Sequence, residues 1–331
     1  MARRALIAAL AAVALLCAIG LSLALGTRAI DLTTVWDALF HLDPHNPEQL
    51  IVRELRVSRT IVGVLAGAAL AIAGALMQAL TRNPFADPGL LGINAGASLA
   101  VVITLSTGMA GGFAAQVPVA FVGAGLAAVI VYAIGARGAA AGAPVRLALA
   151  GVALATLLTS ITYAVLLVDD ATLEQYRLWV AGSLTGRAAD DITALIPIVL
   201  VAIAAALVVS RQLEAIALGE DAARALGISI GATRIIVILV VTLLAAAATA
   251  AAGPLVFVGL AVPHLARAFV GASLPWLLVV SALGGAALVL VCDVIGRLIA
   301  PPSEIGVGIT TAFIGGLIFA LMARRMKVVE L

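Results

Sequence analysis

Charge is scarce in this chain: 11% of its 331 residues are Asp, Glu, Lys or Arg, against about 25% in an average soluble protein. With 64% hydrophobic residues, one soluble core cannot hide the apolar surface, so a soluble globular fold is excluded and a polytopic, all-α membrane protein is expected. Cysteine is nearly absent. Cys17 and Cys292 both lie in apolar runs, which leaves no basis for a disulfide framework or a cysteine metal site. Histidine is equally sparse: His41 and His45 flank Asp43, but Pro44 disrupts regular ligand spacing, and no metal is expected there. No Gly-x-x-x-x-Gly-Lys-Ser/Thr stretch occurs, so phosphate-loop hydrolysis of ATP by this chain is excluded. Glycine, at 32 residues, and alanine are plentiful, as suits helices packed closely in lipid without a hydrophobic force between them.

Apolar stretches long enough to cross a bilayer of roughly 30 Å fall near 5–25, 58–80, 89–109, 114–135, 145–168, 190–210, 230–252, 255–270, 275–296 and 306–323. Met1-Ala2-Arg3-Arg4 before the first run imitates a signal peptide. Its apolar run of 21 residues is too long for the usual signal core, and Leu16 before Cys17 is too large for lipoprotein cleavage, so a retained span is expected. Ten spans put both termini on one side, and Arg3, Arg4, Arg324, Arg325 and Lys327 place that side in the cytoplasm. Sorting every charge supports the choice. Inside fall 12 basic residues, Arg137 among them, against 5 acidic, a net +7; outside fall 7 basic against 12 acidic, Asp190 and Asp191 among them, a net −5. The eighth span is the weakest, being short, preceded by Gly253-Pro254 and interrupted by Pro263, a pattern found in transport machinery and also in ordinary membrane helices.

Between the sixth and seventh spans stands a charged island, Leu218-Gly219-Glu220-Asp221-Ala222-Ala223-Arg224-Ala225-Leu226-Gly227. Gly219 suits a helix start, Glu220 and Asp221 favour the first turn, Glu220 precedes Arg224 by four, and Gly227 suits a left-handed close. Ala222, Ala225 and Leu226 share one face. So short a helix is marginal alone, which leaves two readings: a docking helix that gains stability from a partner, or a solvated loop helix.

Three further features stand out. In Arg82-Asn83-Pro84-Phe85-Ala86-Asp87-Pro88 each proline holds its predecessor extended, and Asp87-Pro88 reads as cap and first turn of the next helix. The result is a stiff turn, either a connector or something more. Arg53, Arg56 and Arg59 recur every three residues, along one side of a helix entering the second span, and Arg297 lies one turn after Asp293. Basic residues outside run against the charge bias, so they call for an external anionic partner or for internal counter-ions, with Asp293 and Glu304 as candidates. His264, three before Arg267, reads as a local hydrogen-bonding residue rather than a ligand or proton relay.

These residues resemble the permease subunits of type II ABC importers, ten-helix proteins that carry ferric siderophores, haem or cobalamin across the bacterial inner membrane. The resemblance rests on Gly67-Ala68-Ala69-Leu70 leading to Gln78 and Arg82 to Pro88, on the island closing at Leu226-Gly227, and on Phe257-Val258-Gly259-Leu260-Ala261-Val262-Pro263-His264-Leu265-Ala266-Arg267. The stretch from Ala86 to Ser98 is most similar to the ferric-enterobactin branch. The resemblance implies a single transmembrane permease domain over 1–331, with 213–229 as a cytoplasmic coupling-helix region. There Gly219, Glu220, Asp221, Ala222, Arg224, Leu226 and Gly227 would meet an ABC ATPase. It assigns Arg53, Arg56, Arg59 and Arg297 to docking of an extracytoplasmic substrate-binding protein, and Asn83, Pro84 and Phe85 to a cytoplasmic gate. It implies a second permease subunit, the same or homologous, ferric-siderophore cargo, and ATP with Mg on the ATPase subunits alone, with no cofactor, metal or nucleic acid on this chain. Departures exist: Arg56-Val57-Ser58-Arg59 where Arg-x-Pro-Arg is common, Phe85 for leucine, and Gly306 and Leu317 for prolines. Two rivals come from other classes. One is an ion-coupled secondary transporter with Asp293, Arg297 and Glu304 as a charge relay. The other is an intramembrane enzyme using His264, which lacks a paired nucleophile.

Overall fold

The computed structural model describes residues 1–109, 113–135, 143–185 and 189–324. Arg137, Arg325, Lys327 and the side chains of Asp190 and Asp191, sorted by side above, lie outside the described residues. Among those described there is no strand. The helices are α1 (Ala2–Ala24), α2 (Leu32–Phe40), α3 (Pro47–Leu50), α4 (Val57–Thr81), α5 (Ile93–Ser106), α6 (Phe113–Gly135), α7 (Ala143–Leu166), α8 (Asp170–Val180), α9 (Ala189–Ala217), α10 (Glu220–Ala225), α11 (Ile230–Ala252), α12 (Val258–Val270), α13 (Leu274–Ile299) and α14 (Val307–Ala323). A π-helical segment, Ile51–Arg56, runs into α4, and a short 3-10 turn, Pro88–Leu91, precedes α5.

Each of the ten expected spans coincides with a helix. Seven helices among the described residues are long and apolar enough to cross a membrane, and Ile93–Ser106, Val258–Val270 and Val307–Leu321 are shorter apolar helices. The short pieces α2, α3 and α8 lie between the expected spans, where the apolar pattern gives no helix. Their local signals are nonetheless ordinary: Asn46 accepts from the Glu48 and Gln49 amides with Pro47 next, and Asp169 accepts from the Ala171 and Thr172 amides.

The core is built around α4, which packs against α13, α11 and α12. Small residues let the backbones touch. A Cβ on Gly67 would collide with Gly285 of α13, and one on Gly74 with Gly259 of α12, the close approach that small residues allow in lipid. Pro263 does not interrupt α12 as the sequence suggests. It removes the amide that would bond to Gly259 O four residues back. Gln78 of α4 supplies the missing donor, its Nε2 reaching Gly259 O at 3.4 Å and Leu260 O at 3.2 Å.

The two ends of the bundle are distinct. α13 begins beside α9, where the Leu274 amide donates to Glu214 Oε1 at 2.8 Å, and ends near Arg297, about 35 Å away at 1.5 Å per residue. Arg4 Nε donates to Val270 O and Phe319 of α14 meets Phe85. The start of α1 and the end of α14 therefore lie at the same end as α10.

Candidate functional site

At that end α10 stands on a backbone only glycine adopts without strain. Gly219 opens it at φ 135°, ψ 143°. Gly227 closes it at φ 77°, with its amide on Arg224 O and the Ile228 amide on Ala223 O, the two bonds of a Schellman closure. Arg224 donates to Glu220 at 3.2 Å and Asp221 at 3.0 Å. Arg234 of α11 donates to the other oxygen of Glu220 at 2.8 Å and so ties the short helix to the next span. That contact, fourteen residues away in sequence, has no local signal. Ala223 is buried with Ile216 and Ile230, while Ala222, Ala225, Leu226 and Leu218 are exposed. The expected apolar stripe is thus uncovered within this chain.

The stiff turn has the expected chemistry. Asp87 is extended (φ −122°, ψ 145°) and caps the 3-10 turn by accepting from the Gly89 amide at 2.7 Å, with Pro88 first. Enclosure pushes the Asp87 carboxyl above its ordinary value, the Gly89 bond pulling the other way. Asn83 Oδ1 accepts from the Phe85 amide at 2.9 Å and Pro84 follows directly. The Phe85 ring meets Phe319 edge to face at 5.8 Å, and Phe319 in turn lies 6.2 Å from Phe257. Phe257 stands at φ 67° as the cap of α12, an uncommon conformation for a non-glycine residue. No sequence pattern places Phe257 or Phe319 beside the turn.

At the opposite end the arginines part company. The π-helical segment has a wider turn than an α-helix, so the three-residue spacing does not keep Arg53, Arg56 and Arg59 on one side as expected. Arg53 is exposed and donates to Leu39 O. Arg56, 6% exposed, donates to Leu23 O and Arg28 O. Arg59, 8% exposed, grips Asp293 through Nε and Nη2 at 2.7 to 3.0 Å and Glu304 through Nη1 at 2.8 Å. Arg297, 2% exposed, meets Asp293 at 3.0 Å and donates to Ser22 O and Leu25 O of the α1 terminus. Asp293 and Glu304 are thus the internal counter-ions. Three arginines against two carboxylates leave the cluster at +1, beside an open cleft of about 310 Å³ also lined by Arg28 and Glu54.

His264 Nδ1 is buried without a hydrogen-bond partner among the described residues, so the local bond expected of it is not made through that nitrogen. No group of three or more His, Cys, Asp or Glu positioned for a metal occurs among the described residues.

A bundle of apolar helices in backbone contact, seven of them among the described residues long and apolar enough to cross a membrane, with a short charged helix at one end and a buried ion cluster at the other, has the architecture of a multi-pass membrane protein. Residues 14–325 match the FecCD transport family, and the chain belongs to it. It is 42% identical to the ferric enterobactin transport system permease protein FepD of Escherichia coli (strain K12), over 94% of this chain and 92% of that protein. It is 39% identical to the Fe(3+)-citrate import system permease protein YfmD of Bacillus subtilis (strain 168), over 93% and 91%. A solved ABC transporter of the metal-chelate type in an inward-facing conformation shares the fold, with a TM-score of 0.84 at 24% identity over 97% of this chain and 99% of that one.

Proposed function

We propose that this chain is the transmembrane subunit of an ATP-driven importer in the bacterial cytoplasmic membrane, with its α10 end in the cytoplasm and a ferric siderophore or similar metal chelate as cargo. The observation that carries the reading is α10 itself: a capped helix fixed to the bundle through Ala223 and Glu220, yet exposing Leu218, Ala222, Ala225 and Leu226. Such a helix transmits force well, because it is rigidly attached on one side and apolar on the other. Its partner in this reading is a separate ABC ATPase that binds ATP and Mg. Identity of 42% to a ferric enterobactin permease supports an iron-chelate cargo.

At the far end, exposed Arg53 would receive acidic residues of a substrate-binding protein, with the buried +1 cluster of Arg56, Arg59 and Arg297 adding a field that attracts them. A second permease subunit, the same or homologous, would complete the pathway, with Asn83, Pro84 and Phe85 acting at its cytoplasmic gate. The transport cycle is mechanical: nucleotide-driven closure of the ATPases shifts helix packing between two arrangements. A charge relay through Asp293, Arg297 and Glu304 is disfavoured, because Asp293 is neutralised by two guanidinium groups at one end of the bundle.

The test is co-purification from native membranes followed by reconstitution. Recovery of an ATPase, and uptake of radioiron-loaded siderophore that requires both ATP and the binding protein, is the expected result. Uptake that persists without the ATPase and collapses with the proton gradient would overturn it.

A further inference from the structure

Arg82 is an anomaly at the end of α4. It occupies the helix C-cap at φ 52°, ψ 30°, a left-handed position where glycine is favoured and a long side chain is strained. Its guanidinium makes one long-range bond, Nη2 reaching 2.8 Å to Ile216 O, 134 residues away in sequence. That carbonyl already accepts the Gly219 amide, the bond that turns the chain from α9 into α10. Ile216 is also one of the buried residues against which Ala223 of α10 packs. On its other side Arg82 is the first residue of the stiff turn, covalently joined to Asn83, Pro84 and Phe85. One side chain therefore bridges the root of the charged helix and the turn whose Phe85 touches α14.

We infer that Arg82 is a positioning residue that transmits displacement of the coupling helix to the 82–88 turn of the same chain. The inference rests on the coupling and gate roles proposed above. A movable α10 must carry Ile216 with it, since the two share a buried contact and the Gly219 turn. The guanidinium then moves the turn as a unit, because Asn83 and Asp87 each lock it internally by a side-chain bond to a backbone amide. The favourable charge of an arginine at the carbonyl end of α9 offsets the strain of its backbone. A mere helix stop would be better served by glycine.

The decisive variant is Arg82→Gly, which relieves the left-handed strain while removing the bridge. In the reconstituted complex we expect melting temperature and ATPase assembly to hold, ATP hydrolysis to persist, and cargo moved per ATP to fall at least about fivefold, the lower end of ordinary coupling effects. Wild-type cargo per ATP in a folded, assembled Arg82→Gly complex would overturn the inference. Should that variant fail to accumulate, Arg82→Lys and Arg82→Met decide instead. Lysine keeps a charged donor and should restore much of the coupling that methionine loses, whereas equal stoichiometry in the two refutes the bridge. Failure of the underlying reading is separable: a wild-type chain that recruits no ATPase sinks the coupling role itself, whatever Arg82 does.

Discussion

Replacing Asp293 by asparagine keeps shape and volume while removing one charge from the buried cluster. Asp293 is 1% exposed and is gripped by Arg59 and Arg297, themselves nearly buried. In the variant three guanidinium groups face a single carboxylate, Glu304, and the cluster rises from +1 to +2. Half of the new amide presents N–H groups to cations that need an acceptor. Removing one partner of a buried pair costs about 3–5 kcal/mol, because the remaining charge cannot be resolvated. The cost should show in reversible unfolding of the purified chain in mixed detergent micelles, measured as a full cycle with Arg59→Met. We expect each single variant to lose stability in that range, and the double variant to lose less than the two together by about 1–3 kcal/mol. A loss below about 1 kcal/mol, the range of an exposed pair, with additive variants, would refute the claim that this cluster pins α1, α4 and α13 together.

Three other outcomes follow from the geometry. Replacing Glu220 and Arg224 together by alanine frees Arg234 and weakens the fixation of α10; membrane insertion should survive while ATPase recovery or ATP-coupled uptake falls, and normal uptake would reject the coupling assignment. Gln78→Met keeps the packing of α4 but leaves the Gly259 carbonyl without its donor at Pro263, so the unfolding free energy should drop by about 1–3 kcal/mol, an effect that Pro263→Ala should partly reverse by restoring the missing amide. Arg53→Glu reverses an exposed charge at the arginine end of the bundle; affinity for the binding protein should decline and its salt dependence shrink, with unchanged titrations at low and high salt counting against docking at that end.

Whatever depends on neighbours in the chain is legible in the sequence. Span positions follow from length and apolarity, and all ten meet a helix. Gly219, Gly227 and the Glu220–Arg224 pair act within one short segment, and Asp87-Pro88 caps its own turn, so these too can be read directly. The misses share the opposite property. The π-helical segment that turns Arg53 away from Arg59 depends on how the chain enters the bundle. Asp293 and Glu304 are legible as candidate counter-ions, but not which arginine grips each; the bond from Arg59 to Asp293, with those from Gln78 to Gly259 and Arg234 to Glu220, joins residues from 14 to 234 positions apart. Pro263 belongs with them: alone it signals a break, and only the amide of Gln78 on the adjacent helix makes a continuous helix tolerable. Phe257 has no signal beyond the Gly253-Pro254 pair before it.

Of these bonds, those of Arg59 and Gln78 are made by α4, and Arg82 at its C-cap adds another. At one end Arg59 fastens it to α13 through Asp293; midway Gly67 and Gly74 set its backbone against α13 and α12; one turn further Gln78 bonds α12; at the other end Arg82 reaches the root of α10. Along 25 residues, roughly 38 Å at helical rise, this helix has no stretch free to bend without separating close-packed backbones. Packed cores of this kind switch between discrete arrangements rather than deform continuously. Movement therefore belongs at its termini, where the helix geometry already departs from α: the π-helical entry at Ile51–Arg56 and the left-handed exit at Arg82. On the coupling and gate roles proposed above, a rigid α4 with irregular ends would pass displacement to the turn at Asn83 rather than absorb it. It also explains why a strained arginine stands where a glycine would have ended the helix more easily.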